Sequence, residues 1–207
     1  MEVNSLEEDL ARTIRRLYER ELVSGVGGNA SVLLPSKEQI LITPAGYFKG
    51  GVAAGNLVRV RLDGKVQGEG KPSSELATHL AAYSVRKDVG AVVHGHPPSA
   101  VALITAGMDI PVMTPEHAVM VRNMEVVGFA APGEAGARAV RGSLSRCDVI
   151  GIRNHGFFSL GSDLHEAASR LEVLEESAKI YLAALQVGGA SGLGKAEVAK
   201  IRKGYGS

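Results

Sequence analysis

The chain has 207 residues, enough for one domain with a sizeable core, since single domains commonly run to about 100–200 residues. Its 23 lysines and arginines meet 22 aspartates and glutamates, and the resulting charge of +1 leaves no global field to hold nucleic acid or an anionic membrane. The N-terminus lacks a basic-then-apolar signal pattern, no run reaches the roughly 18 apolar residues of a membrane span, and the lone Cys147 excludes an internal disulfide. A soluble, cytoplasmic protein is expected.

In chain order, Ser5 and Glu8 resemble a capping box, and Leu6, Leu10, Ile14, Leu17 and Leu22 recur at helical spacing, which predicts a first helix ending near Ser24 and Gly25. The glycine-rich bend Gly25 to Asn29 leads into a strand at Ser31–Leu34, with Ile40–Thr43 as its hairpin partner. Asp63-Gly64 marks a second hairpin, between Leu57–Leu62 and Lys65–Gln67. Apolar spacing then lengthens, predicting helices over Ser74–Arg86, from Pro97-Pro98 as far as Gly107, over Glu134–Arg146, and from the cap Ser162-Asp163 through Leu185. Between them Ala91–Val93, Asp148–Ile152 and Phe157–Leu160 read as strands. Interleaved helices with persistent hairpins predict an α/β fold of one domain, a mixed, mainly antiparallel central sheet covered by helices on both faces. A glycine-rich joint from about residue 188 precedes a basic tail, Lys195–Ser207, which either docks on a neighbouring subunit or frays.

His94-Gly95-His96 closes the strand Ala91–Val93, and alternate residues of an extended segment share a face, so the two imidazoles project together. A catalytic zinc site takes three protein ligands and keeps one position open. His155, in the turn Arg153–Gly156 between two strand-like runs, is the best third ligand. Glu75, at the predicted start of a helix, offers a carboxylate as general base or fourth ligand. His79 lies one turn further along the same helix face, where packing or support of the site suits it better than ligation. His165 reads as a surface residue.

Anion-binding places surround this group. Gly27-Gly28-Asn29 supplies a bare backbone and an amide donor, Thr43-Pro44-Ala45-Gly46 follows a strand directly, and Ser73-Ser74 puts two hydroxyls at a helix start. Taken singly, each also has a purely structural explanation as a turn, a strand exit or a helix cap. Together they suit a phosphate ester whose other end reaches the metal.

Gly27–Ser31, Ile40–Gly46, Lys71–Glu75, Ala91–His96 and Arg153–Gly156 occur in the order found in the class II aldolase/adducin family, and the chain resembles most its fuculose-1-phosphate aldolase branch. The resemblance covers nearly the whole chain. It implies a three-layer αβα sandwich and a homotetramer whose active sites lie between subunits. It further implies one zinc per chain, replaceable by manganese or cobalt, on His94, His96 and His155, with Glu75 holding the metal at rest and serving as acid/base during turnover. Gly28, Asn29, Thr43, Gly46, Ser73 and Ser74 resemble the phosphate pocket. The implied substrate is a small phosphorylated sugar, a ketose 1-phosphate cleaved through a metal-stabilised enediolate to dihydroxyacetone phosphate and an aldehyde such as lactaldehyde.

One departure stands out. The branch carries a tyrosine as proton donor near the aldehyde oxygen, whereas here no tyrosine lies between Ile110 and Gly128. Glu116 or His117 is the candidate replacement, and Tyr205 is the candidate for a second family tyrosine that reaches over from a neighbour's C-terminal region; these three are the candidates for the second acid/base group. Because the second acid/base group separates the family's reactions, a dehydratase acting on methylthioribulose 1-phosphate or a ribulose-5-phosphate 4-epimerase is the alternative. A non-catalytic adducin-like scaffold has no need of an intact histidine triad.

Overall fold

The computed structural model describes residues 3–189 and 191–205. Eight strands form one sheet in the order β4-β3-β2-β1-β5-β8-β7-β6. The first half builds by hairpins: β1 (Asn29–Leu33) pairs antiparallel with β2 (Gln39–Ile42), β2 with β3 (Val58–Arg61), and β3 with β4 (Val66–Gln67). β5 (Ala91–Gly95) then joins the free edge of β1, and β8 (Gly156–Gly161) lies antiparallel between β5 and β7 (Val149–Ile152). The edge strand β6 (Met124–Val127), which no sequence pattern predicted, runs parallel to β7. Parallel neighbours need a crossover, and α5 (Glu134–Leu144) supplies it.

Period-two alternation sorts the strand side chains into two cores. Ile40, Ile42, Val58, Val60, Val92, Ile150, Ile152, Phe158 and Leu160 share one buried cluster with Ala82 and Tyr83 of α2 (Leu76–Val85) and Val140 and Leu144 of α5. Their neighbours Leu41, Ala91, Val93, Val149 and Phe157 face the other way. There they meet Leu10, Ile14 and Leu17 of α1 (Val3–Glu19), Leu103 and Ile104 of α3 (Pro98–Thr105), and Leu171 and Leu174 of α6 (Leu164–Gln186). The result is the three-layer αβα sandwich with a mainly antiparallel sheet.

Several boundaries differ from the sequence reading. α1 is already helical at Val3, which places Ser5 inside it rather than at a cap, and it ends at Glu19, before Glu21 enters the left-handed region at φ 59°. Glu116 and His117, which read as an exposed turn, belong to the short helix α4 (Pro115–Met120), capped by the Thr114 hydroxyl accepting the His117 N–H at 3.2 Å. Lys195–Gly204 forms a further helix, α7, where none was predicted. It sits against α4 of its own chain: Arg202 donates to the Ala118 carbonyl at 2.9 Å and the Arg122 carbonyl at 2.7 Å, meeting orphan acceptors at the end of α4. Among the described residues no helix is long and apolar enough to cross a membrane.

Candidate metal centre and anion cavity

Strand register builds the site. Asn29 on β1 sits opposite His94 on β5, and His94 sits opposite Phe158 on β8, so three central strands deliver their ends to one place. His155 immediately precedes β8, in a turn where Asn154 takes φ 58°, a conformation asparagine tolerates better than most residues. On the far face of β5 a side chain at Gly95 would meet Leu171 at 2.5 Å and the Leu22 carbonyl at 2.7 Å, so β5 is pressed directly onto its helical layer.

The ligating nitrogens of His94, His96 and His155 all lie within 4.8 Å of one another. His94 Nδ1 stands 3.1 Å from the Phe157 carbonyl, which only accepts; Nδ1 therefore carries the proton and Nε2 presents its lone pair. That Nε2 is 3.1 Å from His96 Nε2. Two nitrogens on a tetrahedral zinc at about 2.0–2.1 Å would stand about 3.3 Å apart, so the spacing fits one ion between them. His94 also stacks on Phe158, ring centroids 4.2 Å apart, which fixes its plane. Burial, reinforced by the neighbouring imidazoles, holds His94 well below the usual histidine range, burial brings His96 to about 4, and burial lowers His155 as well. Neutral imidazoles are the form a divalent ion needs. His155 Nδ1 is buried without a hydrogen-bond partner, an atom still waiting for one.

Glu75 occupies the N-cap position of α2, but its side chain caps nothing. It is 3% exposed, its Oε1 stands 3.5 Å from His155 Nε2, and its Oε2 accepts the Gly133 N–H at 3.5 Å. The carboxylate borders the triad without joining the compact three-histidine group. Burial raises its pKa, and the Gly133 N–H opposes that rise. A buried carboxylate pushed up and held loosely is suited to taking and returning a proton.

Beside the triad a cavity of about 160 Å³ is lined by Gly28, Asn29, Ala45, Gly46, Ser73, Ser74 and Glu75, together with all three histidines. Gly28 at φ 83° and Gly46 at φ 65° adopt left-handed conformations, and a side chain at Gly28 would also strike Val23 at 2.4 Å. Thr43 lies behind the wall, fully buried, its hydroxyl accepting the Ala30 N–H at 3.2 Å while its carbonyl accepts from Ser73 N, also at 3.2 Å. It laces the segments at Asn29-Ala30 and Ser73 together rather than lining the cavity. A larger cavity of about 500 Å³, between α1 and the start of α6, is lined by Leu6, Arg12, Val32 and His165, away from the triad.

His79 is fully buried and holds Asn29. Its Nε2 lies 2.6 Å from Asn29 Oδ1, its Nδ1 2.7 Å from Ser31 Oγ, and Ser31 Oγ 2.7 Å from the Tyr83 hydroxyl. Burial lowers His79 to about 3, so the ring is neutral and donates through one nitrogen only. Since Asn29 Oδ1 accepts, Nε2 donates; Nδ1 then accepts from Ser31, and Ser31 accepts from Tyr83. The chain of donors leaves the Asn29 amide hydrogens free for the cavity. Packing and support of the site, the role expected of His79, are the same contact.

Sequence reading missed two contributors. Lys49 lines the cavity although it is only 1% exposed, and the one local hint was a lysine set among Tyr47, Phe48 and glycines. Gly156 lets β8 approach the histidines: a Cβ there would meet the Gly95 carbonyl at 2.5 Å, His96 at 2.6 Å and His94 at 3.2 Å. Glu116 is exposed, His117 is buried with an unpartnered Nδ1, and Tyr205 is exposed at the end of α7; none of the three lines the cavity within one chain.

Residues 8–182 match the model of the class II aldolase and adducin N-terminal domain. The chain belongs to that family. This class II aldolase is 37% identical over 175 residues to an L-fuculose phosphate aldolase of Methanocaldococcus jannaschii, covering 84% of this chain and 93% of the relative. It is 33% identical over 178 residues to a 3-oxo-tetronate 4-phosphate decarboxylase of Haemophilus influenzae, 81% of this chain and 82% of that one. A solved L-fuculose 1-phosphate aldolase superposes with a TM-score of 0.90 at 27% identity, covering 100% of this chain and 99% of the other. The class II aldolase is thus an enzyme of the lyase type, with a histidine triad able to hold a metal ion.

Proposed function

We propose that the chain is a zinc-dependent aldolase that reversibly cleaves a ketose 1-phosphate, of the fuculose 1-phosphate kind, to dihydroxyacetone phosphate and an aldehyde such as lactaldehyde. The observation that carries this reading is the convergence of three neutral imidazoles and a buried carboxylate on the wall of one small cavity that also holds Asn29, Gly46, Ser73 and Ser74. His94, His96 and His155 would hold the zinc, which would supply Lewis-acid polarisation of the substrate.

The chain's own residues do the rest. Asn29, Ser73, Ser74 and the bare backbone at Gly28 and Gly46 bind the phosphate, and the Thr43 contacts keep the segments at Asn29-Ala30 and Ser73 in register. Anchored there, the sugar runs toward Glu75. In the cleavage direction the carbon–carbon bond breaks and its electron pair stays on the dihydroxyacetone phosphate fragment, whose carbon then takes a proton from the Glu75 carboxyl. In condensation the same carboxylate removes that proton. Glu116, His117 or a neighbour's Tyr205 takes the proton of the substrate hydroxyl that becomes the aldehyde oxygen in cleavage and returns it to that oxygen in condensation, and the assembly is a homotetramer with sites between subunits.

A second reading, decarboxylation of a phosphorylated 3-oxo acid, is favoured by one observation: the missing tyrosine between Ile110 and Gly128, in a chain one-third identical to such a decarboxylase. Loss of carbon dioxide leaves the same kind of carbanion, but no hydroxyl has to give up its proton to an acid/base group in place of that tyrosine. The test incubates the zinc-loaded protein with fuculose 1-phosphate, other ketose 1-phosphates and a phosphorylated 3-oxo acid, with and without chelator. Chelator-sensitive release of dihydroxyacetone phosphate with an aldehyde is expected. Carbon dioxide in place of aldehyde replaces the first reading by the second, and turnover of none of them removes both.

A further inference from the structure

Lys49 is among the largest fully buried side chains of the fold. Its ammonium donates to the Tyr47 carbonyl at 3.1 Å and the Pro44 carbonyl at 3.3 Å, both from its own loop. An ammonium has three protons, so two carbonyls leave one uncommitted. Among the described residues no carboxylate lies within 4.0 Å of it. A buried charge without a counterion is costly, and folds rarely keep one unless something compensates it. Stapling two carbonyls does not require a charge, since neutral donors do the same.

The side chain's position supplies the reason. Lys49 forms part of the cavity wall with Asn29, Gly46, Ser73 and Ser74, and among the described residues no other lysine or arginine lines that wall. The other ionisable groups facing the cavity are Glu75, next to His155, and the three histidines, whose pKa values are held down. The hydroxyl and amide donors offer dipoles, but a desolvated phosphate dianion also calls for a full positive charge.

Resting on the reading of this cavity as a phosphate site, we infer that Lys49 Nζ is the cationic contact of the bound phosphate, its uncommitted proton donated to a phosphate oxygen. Lys49 then pre-forms the pocket through Pro44 and Tyr47 and discriminates phosphorylated from unphosphorylated sugars. Burial pushes the free ammonium's pKa down, so an arriving anion stabilises its charged form.

The experiment is calorimetric titration of inorganic phosphate into the zinc-loaded wild-type protein and into Lys49→Met, Lys49→Gln and Lys49→Arg, with zinc content and thermal melting measured on each. Loss of a charge-assisted hydrogen bond should weaken phosphate about 10- to 100-fold in Lys49→Met. Lys49→Gln keeps a donor for the loop carbonyls but no charge, and should weaken phosphate as much while melting close to wild type. Lys49→Arg should stay within a few-fold. Wild-type affinity in both uncharged variants overturns the inference, and so does full affinity in Lys49→Gln alone, which marks a structural staple. Should the uncharged variants not fold, a crystal of the wild-type protein soaked in inorganic phosphate decides it. A phosphate oxygen within hydrogen-bonding distance of Nζ supports the assignment, and phosphate on Ser73 and Ser74 with Nζ turned away refutes it. Absence of any phosphate binding by the wild-type protein is a different failure, that of the phosphate-site reading itself.

Discussion

At the scale of single residues, Glu75 and His79 serve the same cavity by different physics. In the proposed reaction Glu75 moves a proton, so Glu75→Gln, which keeps the shape, should lower cleavage about 10²- to 10⁴-fold while inorganic phosphate still binds within a few-fold of wild type. Steady-state rates set beside phosphate titration check this, and an active variant would remove Glu75 from the chemistry. His79 touches no reacting group in this reading but holds Asn29 at 2.6 Å. His79→Leu should therefore raise KM for the phosphorylated substrate more than it lowers kcat. It should also cost about 1–3 kcal/mol of stability for each buried partner left unpaired, at Asn29 and Ser31. A fall in kcat alone would contradict the positioning role. The His-X-His pair and His155 were legible in the sequence because period two and strand-end placement are local properties, and Glu75 because a helix start is one too. Lys49 was not, because a lysine's burial is decided by what packs over it, here its own loop beneath α1.

Among the elements, the close approach of β8 to β5 matters most to the site. Gly156→Ala would drive a methyl group against His94, His96 and the Gly95 carbonyl, so zinc content should fall well below one per chain while far-ultraviolet circular dichroism stays native. Metal analysis of the purified variant reads this directly, and full zinc occupancy would show that the strands have slack. The β5–α3 turn after His96 is fixed from across the layer: Glu175 on α6 accepts from Ser99 N and Ala100 N at 3.0–3.2 Å, closing the N-terminus of α3. Both long amphipathic helices and the hairpin strands were readable from spacing. β6 and α7 were not: β6 is a half-buried edge strand without clean alternation, and α7 is a short polar helix with no fully buried residue, held by Arg202 on α4.

For the molecule as a whole, burial of neutral histidines sets a pH dependence. His79 lies at about 3 and His117 at about 4 in the fold, both depressed by burial, against about 6.5 in an unfolded chain. Between those values the unfolded state takes up protons that the native state refuses, so stability rises with pH across the window and these groups add nothing further above about 6.5. Read the other way, their contribution is lost as pH falls from about 6.5 toward 4 for His117 and toward 3 for His79. Thermal melts of metal-free protein at pH 7.5, 6 and 5 should show Tm falling at each step, and a Tm independent of pH would contradict the burial of these rings as neutral bases. Sedimentation should give four times the chain mass of 21.6 kDa if the proposed tetramer forms, placing a neighbour's α4 or α7 near each cavity. A monomer with full activity would confine the second acid/base group to the chain's own residues.

By itself the sequence determined which segments are strands and helices wherever apolar periodicity is strong, and which residue types stand at strand ends ready for metal and anion. Those are short-range properties, written within a few residues. Tertiary structure alone decided that β1, β5 and β8 lie side by side, that Glu75 faces the triad instead of capping α2, that His79 aims Asn29, and that Lys49 is buried with no carboxylate of the described residues beside it. Each of these depends on packing between segments 20 to 80 residues apart, where excluded volume and the cost of an unpaired buried group choose the arrangement and no local pattern records the choice.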